Sequence, residues 1–313
     1  MRKQVSPSIR QANIIYLLLV IIITIGSAIL QPILGLGGNL WVNELIYLLL
    51  PVAVLCKLNG WSFRETYRYK STSKSNIGLG ILSGISIWFF AAYISIIITT
   101  GLDKGVGKLS VDLSKISTTP LQGILMLIGM VILAPLCEEL FFRGFVQRAY
   151  ESCSKKYSFI IAGVLFGLFH VLNGVSSIFS ATIMGLVLGY LVYRTDSIFT
   201  SMSAHAAMNF SAIVFSSALT SMDITKIPIW FHIAAFVGIC LCVYLLRRVR
   251  RNNIKGTDIY FGEYLPNERK KGNAYIALAI AILFLFAMGS FELLIRSGSI
   301  SVPTSAETKI DSK

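Results

Sequence analysis

Charged residues are scarce in this chain. They make up 14% of its 313 residues, against about 25% in a soluble domain, whereas apolar residues make up 55%. So few charges cannot cover a water-facing surface, which excludes a soluble enzyme, and so many apolar residues exclude a disordered chain. Since a ~30 Å hydrocarbon core requires apolar runs of about 20 residues, the composition predicts a polytopic helical membrane protein.

Cysteines and acidic residues are also few. Five cysteines, without a CxxC pair or a Cys/His zinc spacing, argue against a disulfide-stapled module. Cys56, Cys137, Cys240 and Cys242 lie in or at the ends of apolar runs, and we expect them to be small buried hydrophobes. The 15 acidic residues face 28 basic ones, for a net charge of +13. Because the basic residues lie in short connectors between apolar runs, they indicate topology, and no nucleic-acid partner is expected.

Nine apolar runs each predict a transmembrane helix. They cover residues 14–30, 40–56, 77–99, 121–142, 158–172, 178–193, 198–219, 229–246 and 274–295. With the N-terminus inside, the inner segments hold 21 Lys and Arg residues and the outer segments 7. This bias follows the positive-inside rule. We therefore predict an all-α, polytopic helical membrane protein with about nine transmembrane helices, the N-terminus in and the C-terminus out, whose first run is an uncleaved signal anchor.

A few ionisable residues lie inside these runs or at their inner ends, where an unpaired charge costs several kcal/mol. The informative ones are Glu138, Glu139 and Arg143 at the inner end of the fourth run, His170 inside the fifth and His205 inside the seventh. Glu139 and Arg143 are four positions apart with the acid first, which favours a helical ion pair and leaves Glu138 free. His205 and Asn209 share one helix face in the same way.

These side chains are the parts that amide hydrolysis requires. A free carboxylate in a low-dielectric pocket can act as a general base on water, and two imidazoles with an amide can position that water or stabilise an oxyanion. Taken singly, each part has a structural alternative: an ion pair at the membrane edge, a packing histidine, or an interhelical hydrogen-bonded pair. Neither a Ser-His-Asp set nor an HExxH motif is readable.

The same residues form three motifs that resemble those of the CAAX protease and bacteriocin-processing family of intramembrane proteases. The motifs are EExxxR at Glu138–Arg143, FxxxH at Phe166–His170 and HxxxN at His205–Asn209. The resemblance covers about residues 121–219 and implies a multi-pass endopeptidase whose site lies in the membrane and is reached from the cytoplasm. It implies that Glu138 activates water with support from Glu139 and Arg143. It also implies that His170 and His205 bind the water or the oxyanion, and that Asn209 completes the oxyanion site.

The requirement for a metal stays open at this point. Glu138, His170 and His205 have the composition of a three-ligand zinc site, but a zinc-bound Glu138 would not be free as a base. The preferred interpretation therefore requires no cofactor, with Zn as the alternative. The expected partners are the lipid bilayer and a membrane-associated peptide or protein substrate, such as a pheromone, a bacteriocin or a CAAX-like protein. The Ile-, Lys- and Ser-rich composition favours the bacterial cytoplasmic membrane as its location.

Two functions without proteolysis compete with this interpretation. One is a membrane scaffold or bacteriocin-immunity protein that binds a sensor or a secretion partner, and the other is a transporter, although clustered charges and the lack of an inverted repeat argue against the latter. For the proteolytic interpretation we divide the chain into an N-terminal three-span region (1–120), a catalytic core with spans four to seven (121–219), and a C-terminal two-span region with a basic cytoplasmic loop (220–313).

Overall fold

All regular structure in the described part of the chain is helical. The structure is a computed structural model, and it describes residues 6–109, 119–219, 227–251 and 271–300, with no strand among them. We label its longer helices α1 (Ile9–Asn59), α2 (Lys74–Gly105), α3 (Pro120–Tyr150), α4 (Ser158–Asn173), α5 (Val175–Thr195), α6 (Ile198–Leu219), α7 (Ile229–Arg248) and α8 (Lys271–Arg296). A one-turn helix, Phe63–Thr66, lies between α1 and α2. The predicted all-α class is confirmed.

Within the described residues, seven helices are long and apolar enough to cross a membrane, and α4 is a shorter apolar helix. The first of the seven, α1, contains 51 residues and bends at Gly35, whose φ of 70° suits a residue without a Cβ. The predicted runs 14–30 and 40–56 lie in its two halves, and most of the predicted connector between them is helical. The polytopic membrane fold is thus confirmed, while the number of spans and their orientation stay predictions.

Three connectors predicted to be cytoplasmic meet at one end of the molecule. The buried Arg68 lies between α1 and α2 and pairs with Glu151 after α3 (2.6 Å) and with Asp196 after α5 (3.5 Å). Lys70 also pairs with Asp196 (3.0 Å). Burial alone would raise the pKa of Asp196, but the Arg68 guanidinium and the Lys70 ammonium hold that pKa below its usual range. Asp196 is therefore charged at neutral pH and keeps these connectors together.

Connectors predicted to be outside meet in the same way. Arg296 at the end of α8 pairs with Asp103 at the end of α2 (2.8 Å). One turn earlier, Glu292 accepts a hydrogen bond from the backbone N–H of Val175 (2.6 Å), the first residue of α5. A carboxylate at that place satisfies an otherwise unpaired N–H and suits the positive end of the helix dipole. These contacts bring the ends of α2 and α8 together with the beginning of α5.

Glycines allow the helices that carry the candidate site to approach closely. A Cβ at Gly185 in α5 would lie 2.8 Å from the carbonyl oxygen of Gly163 in α4 and 3.1 Å from the ring of Phe166. A Cβ at Gly84 in α2 would collide with the backbone of Ala204 in α6. These contacts are of the small-residue kind that GxxxG spacings predict for membrane helices. They bring α5 against α4 and α2 against α6.

The outer surface of α7 and α8 is apolar. Large side chains are exposed there, with Ile229 at 74%, Phe236 at 71% and Phe286 at 73%. Such a surface is unfavourable in water and suits contact with lipid. Cys240 lies on this kind of surface and is exposed, so the prediction that it is buried is wrong. Its thiol reaches the outside because a helix in lipid presents apolar residues outward as well as inward.

Candidate active site

The helix that carries the two glutamates, α3, alternates between α-helical and π-helical turns. It is π-helical at Gly129–Leu133, α-helical at Ala134–Glu139 and π-helical again at Leu140–Val146. Glu138 and Glu139 thus end the central α-helical part, and Arg143 lies in the second π-helical part. Short π-helical insertions widen the turn and occur often at functional sites.

Glu139 holds two basic side chains from different helices. Arg143 donates from Nη1 to Glu139 Oε1 (2.9 Å) and from Nη2 to the carbonyl oxygen of Gly185 (3.1 Å). His205 Nδ1 lies 3.0 Å from the same Oε1. Glu139 and Arg143 are fully buried and His205 is 3% exposed. The ion pair that the i, i+4 spacing predicts is therefore present, and it also orients the ring of His205.

Glu138 has a free carboxylate oxygen. Its Oε2 is buried and makes no hydrogen bond within the part of the chain that the structure describes. His205 Nε2 lies 3.7 Å away, which is beyond hydrogen-bonding distance. The residue as a whole is 9% exposed. This is the free carboxylate that the pairing of Glu139 with Arg143 leads one to expect, and its role as a base stays a prediction.

Phe166 brings the two histidines and the arginine together. Its ring centroid lies 4.4 Å from that of His170 and 5.7 Å from that of His205. The guanidinium carbon of Arg143 lies 4.5 Å from the same centroid, a cation–π contact. The carbonyl oxygen of Phe166 also accepts a hydrogen bond from His170 Nδ1 (2.8 Å). Because a carbonyl can only accept, Nδ1 of His170 carries the hydrogen and Nε2 is left for other partners.

Asn209 is tied to α3. Its Nδ2 donates to the carbonyl oxygen of Met130 (2.7 Å), in the first π-helical part of α3. An amide nitrogen has two N–H groups, so a second donor is available in addition to this bond.

The third histidine, His232, is hydrogen bonded to the hydroxyl of Tyr93 (3.0 Å). That bond gives it a structural role in joining α7 to α2.

Sequence reasoning missed one acid beside this site. Glu44 lies in a π-helical part of α1, Asn43–Leu49, which packs directly on Ala134–Glu139. It is only 4% exposed. The signal that points to it is the same one that identified the other residues, since Glu44 is an ionisable residue inside the apolar run 40–56.

The choice between a metal-free site and the zinc alternative stays a prediction. No group of three or more His, Cys, Asp or Glu side chains in the described ranges is arranged so that it could hold a metal ion. Nδ1 of His205 is directed at Glu139, and Nδ1 of His170 is bonded to a carbonyl oxygen, so Nε2 is the nitrogen that each ring leaves available to a water or a metal. The mechanism below is written for the side chains of this chain and includes no step through a metal.

Comparison with known proteins identifies the segment that carries these side chains. Residues 120–211 match the family model described as Type II CAAX prenyl endopeptidase Rce1-like. The resemblance that the three motifs indicate is thus confirmed. The Rce1-like segment begins at the first residue of α3 and ends within α6, so it contains every motif residue named above.

Two relatives from Bacillus subtilis (strain 168) share about half of this chain. One, described as "Putative membrane peptidase YdiL", is 30% identical over 155 residues, which are 48% of this chain and 62% of the relative. The other, "Uncharacterized protein YyaK", is 30% identical over 149 residues, or 44% of this chain and 49% of the relative. The chain thus spans about half to three-fifths of these relatives. No solved structure matches it. The matches support a membrane protease at the level of the family.

Proposed function

We propose that this protein is an intramembrane endopeptidase that hydrolyses a peptide bond in a membrane-associated peptide or protein. The observation that carries the proposal is the state of Glu138. Its Oε2 is buried without a hydrogen-bond partner in the described ranges and lies 3.7 Å from His205 Nε2. The neighbouring Glu139 is already paired with Arg143. A carboxylate kept free in this way has the properties of a general base.

In the proposed reaction Glu138 activates water. Its carboxylate takes a proton from a water molecule while the water oxygen attacks the carbonyl carbon of the scissile amide. The new C–O bond forms, and the electron pair of the carbonyl group moves to its oxygen. When the C–N bond breaks, Glu138 returns the proton to the leaving nitrogen. The carboxylate is thereby regenerated for the next cycle.

The histidines and Asn209 then have separate tasks. His170 donates through Nδ1 to Phe166, so its Nε2 is the nitrogen that accepts a hydrogen bond from the water. His205 is oriented through Nδ1 by Glu139, which leaves its Nε2 on the side of Glu138 for the reacting groups. The second N–H of Asn209 supplies a donor for the oxyanion. In this scheme Glu139 and Arg143 position His205 and do not react.

The biological setting is part of the same proposal. The substrate is a pheromone, a bacteriocin or a CAAX-like protein, and it reaches the site from the cytoplasmic side of a bacterial cytoplasmic membrane. The core of the activity lies in residues 121–219. No cofactor takes part. The apolar surface of α7 and α8, and the bacterial relative described as a membrane peptidase, support this setting.

The test compares two isosteric changes from carboxylate to amide. In a strain that lacks the native gene, Glu138→Gln removes the proposed base, whereas Glu65→Gln makes the same change in the connector after α1. Mass spectrometry of membrane and secreted peptides is the measurement, with protein levels checked by immunoblot. We expect Glu138→Gln to lower formation of a product about 10²- to 10⁴-fold and Glu65→Gln to leave it unchanged. His205→Ala is a companion variant with an expected loss.

The opposite result favours the competing function. If Glu138→Gln gives the same peptides and the same phenotype as wild type, while deletion of the gene has an effect, the protein acts without proteolysis. A scaffold or an immunity protein that binds a sensor or secretion partner would then replace the endopeptidase.

A further inference from the structure

Glu44 is a buried acid that the mechanism above does not use. It lies outside the Rce1-like segment, in the π-helical part of α1 that packs on both Ala134–Glu139 and Leu140–Val146. Its Oε2 is buried and, within the described ranges, has no hydrogen-bond partner. Glu138 presents an Oε2 in the same condition from the facing segment. Two unpaired carboxyl oxygens therefore occur on two helical segments that contact each other.

Glu44 is not held by an ion pair in the described part of the chain. Among the ion pairs formed by described residues, none joins Glu44 to a lysine or an arginine. Two acids, Glu138 and the buried thiol of Cys137, lie close enough to interact with it electrostatically. Two carboxylates in such an interior cannot both be ionised without a large cost. A proton held by one of them, together with a water between them, satisfies both groups.

We infer that Glu44 is a positioning residue for the nucleophilic water of the proposed hydrolysis. This inference rests on the proposed function. The neutral carboxyl group of Glu44 donates a hydrogen bond to the water oxygen, and the water donates one of its hydrogens to the carboxylate of Glu138. When Glu138 takes that hydrogen as a proton, the water oxygen attacks the amide carbon. Glu44 keeps its own proton throughout, so no further acid or base is required.

The test distinguishes hydrogen bonding from packing at position 44. The probe is a quenched fluorescent peptide that copies the cleavage site found by the product analysis above, and the enzyme is the full chain in lipid nanodiscs. Glu44→Leu removes the hydrogen bond that positions the nucleophilic water. Because the water is then misplaced, we expect kcat to fall about 10²-fold with KM unchanged. Its thermal stability should stay equal or rise because an unpaired acid is replaced by an apolar side chain. Glu44→Gln keeps a donor and should restore kcat to within about tenfold of wild type.

A further variant covers the case in which Glu44→Leu fails to accumulate. Glu44→Asp keeps the chemistry but shortens the side chain by one methylene, and it should lower kcat with KM and stability unchanged. A wild-type kcat in Glu44→Leu or in Glu44→Asp would overturn the inference. An equal loss of kcat in Glu44→Leu and Glu44→Gln that parallels their loss of stability would overturn it as well. Glu138→Gln in the same assay separates the two proposals. If it cleaves as well as wild type, the proposed function is wrong and this inference fails with it.

Discussion

Glu139 is the residue on which the buried charges of the site depend. One of its oxygens accepts from both Arg143 and His205, and neither Glu139 nor Arg143 has any exposed surface. Arg143 also contacts the ring of Phe166 and the carbonyl oxygen of Gly185. A buried ion pair contributes little net stability, but removal of one partner leaves an uncompensated charge that costs about 3–5 kcal/mol.

We therefore expect Glu139→Gln to lower the free energy of unfolding by about 3–5 kcal/mol. The double variant Glu139→Gln, Arg143→Met should recover most of that loss, because no buried charge is left. Activity should stay low in both, since His205 no longer has the carboxylate that orients its ring. Unfolding in detergent followed by tryptophan fluorescence measures the first effect, and peptide cleavage measures the second. A double variant as unstable as the single one would contradict this account.

The spacing of residues along one helix could be predicted from the sequence, but contacts between helices could not. The i, i+4 positions of Glu139 and Arg143 define a pair on a single helix, so their ion pair follows from geometry. The contacts of Phe166 with Arg143 and His205 join three helices, and nothing in a helical spacing reports them. Glu44 has the sequence signal of an ionisable residue inside an apolar run, but only the packing of α1 on α3 shows that it lies beside the site.

At the level of helices, the apolar runs predicted where the elements lie but not their internal geometry. The run 158–172 corresponds closely to α4, Ser158–Asn173, and the run 121–142 lies within α3, Pro120–Tyr150. The π-helical parts of α1 and α3 were not predicted. They arise from a shift in backbone hydrogen bonding, which leaves no periodic signal in the side chains. Glu44, the carbonyl that binds Asn209, and Arg143 all lie in such parts.

The close approach of α4 and α5 gives a prediction for matched glycine variants. In Gly185→Ala the new methyl group would meet the carbonyl oxygen of Gly163 and the ring of Phe166. We expect a loss of about 1–3 kcal/mol in stability from overpacking and a loss of activity, because the Gly185 carbonyl that accepts from Arg143 is displaced. Thermal unfolding and peptide cleavage measure these effects.

Gly123→Ala is the control, since a Cβ there meets nothing within 4 Å. The alanine should leave activity unchanged and stabilise the helix by about 0.5–1 kcal/mol. If Gly185→Ala and Gly123→Ala have the same stability and the same activity, the site does not depend on the close approach of α4 to α5.

At the level of the whole molecule, ion pairs of the connectors and helix ends show which ends lie on the same side. Arg68 joins three connectors that the distribution of Lys and Arg predicts to be cytoplasmic. Arg296 joins two helix ends predicted to be outside. Side-chain contacts show which ends of the helices lie together, whereas the side of the membrane rests on the excess of 21 over 7 basic residues. The two arguments are independent, and together they predict the side from which a substrate reaches the site.

Thiol labelling in intact cells tests that orientation. Cys153 is exposed and lies in the connector after α3, so a membrane-impermeant maleimide should label it only after the cells are permeabilised. In the variant Cys153→Ser, Cys240→Ala, Lys104→Cys, the thiol introduced at position 104 should react without permeabilisation, because the end of α2 is predicted to be outside. Glu138 lies closer to the end of α3 that Cys153 follows than to the beginning of that helix. Labelling of Cys153 in intact cells would therefore reverse the orientation and require substrates to approach the site from outside.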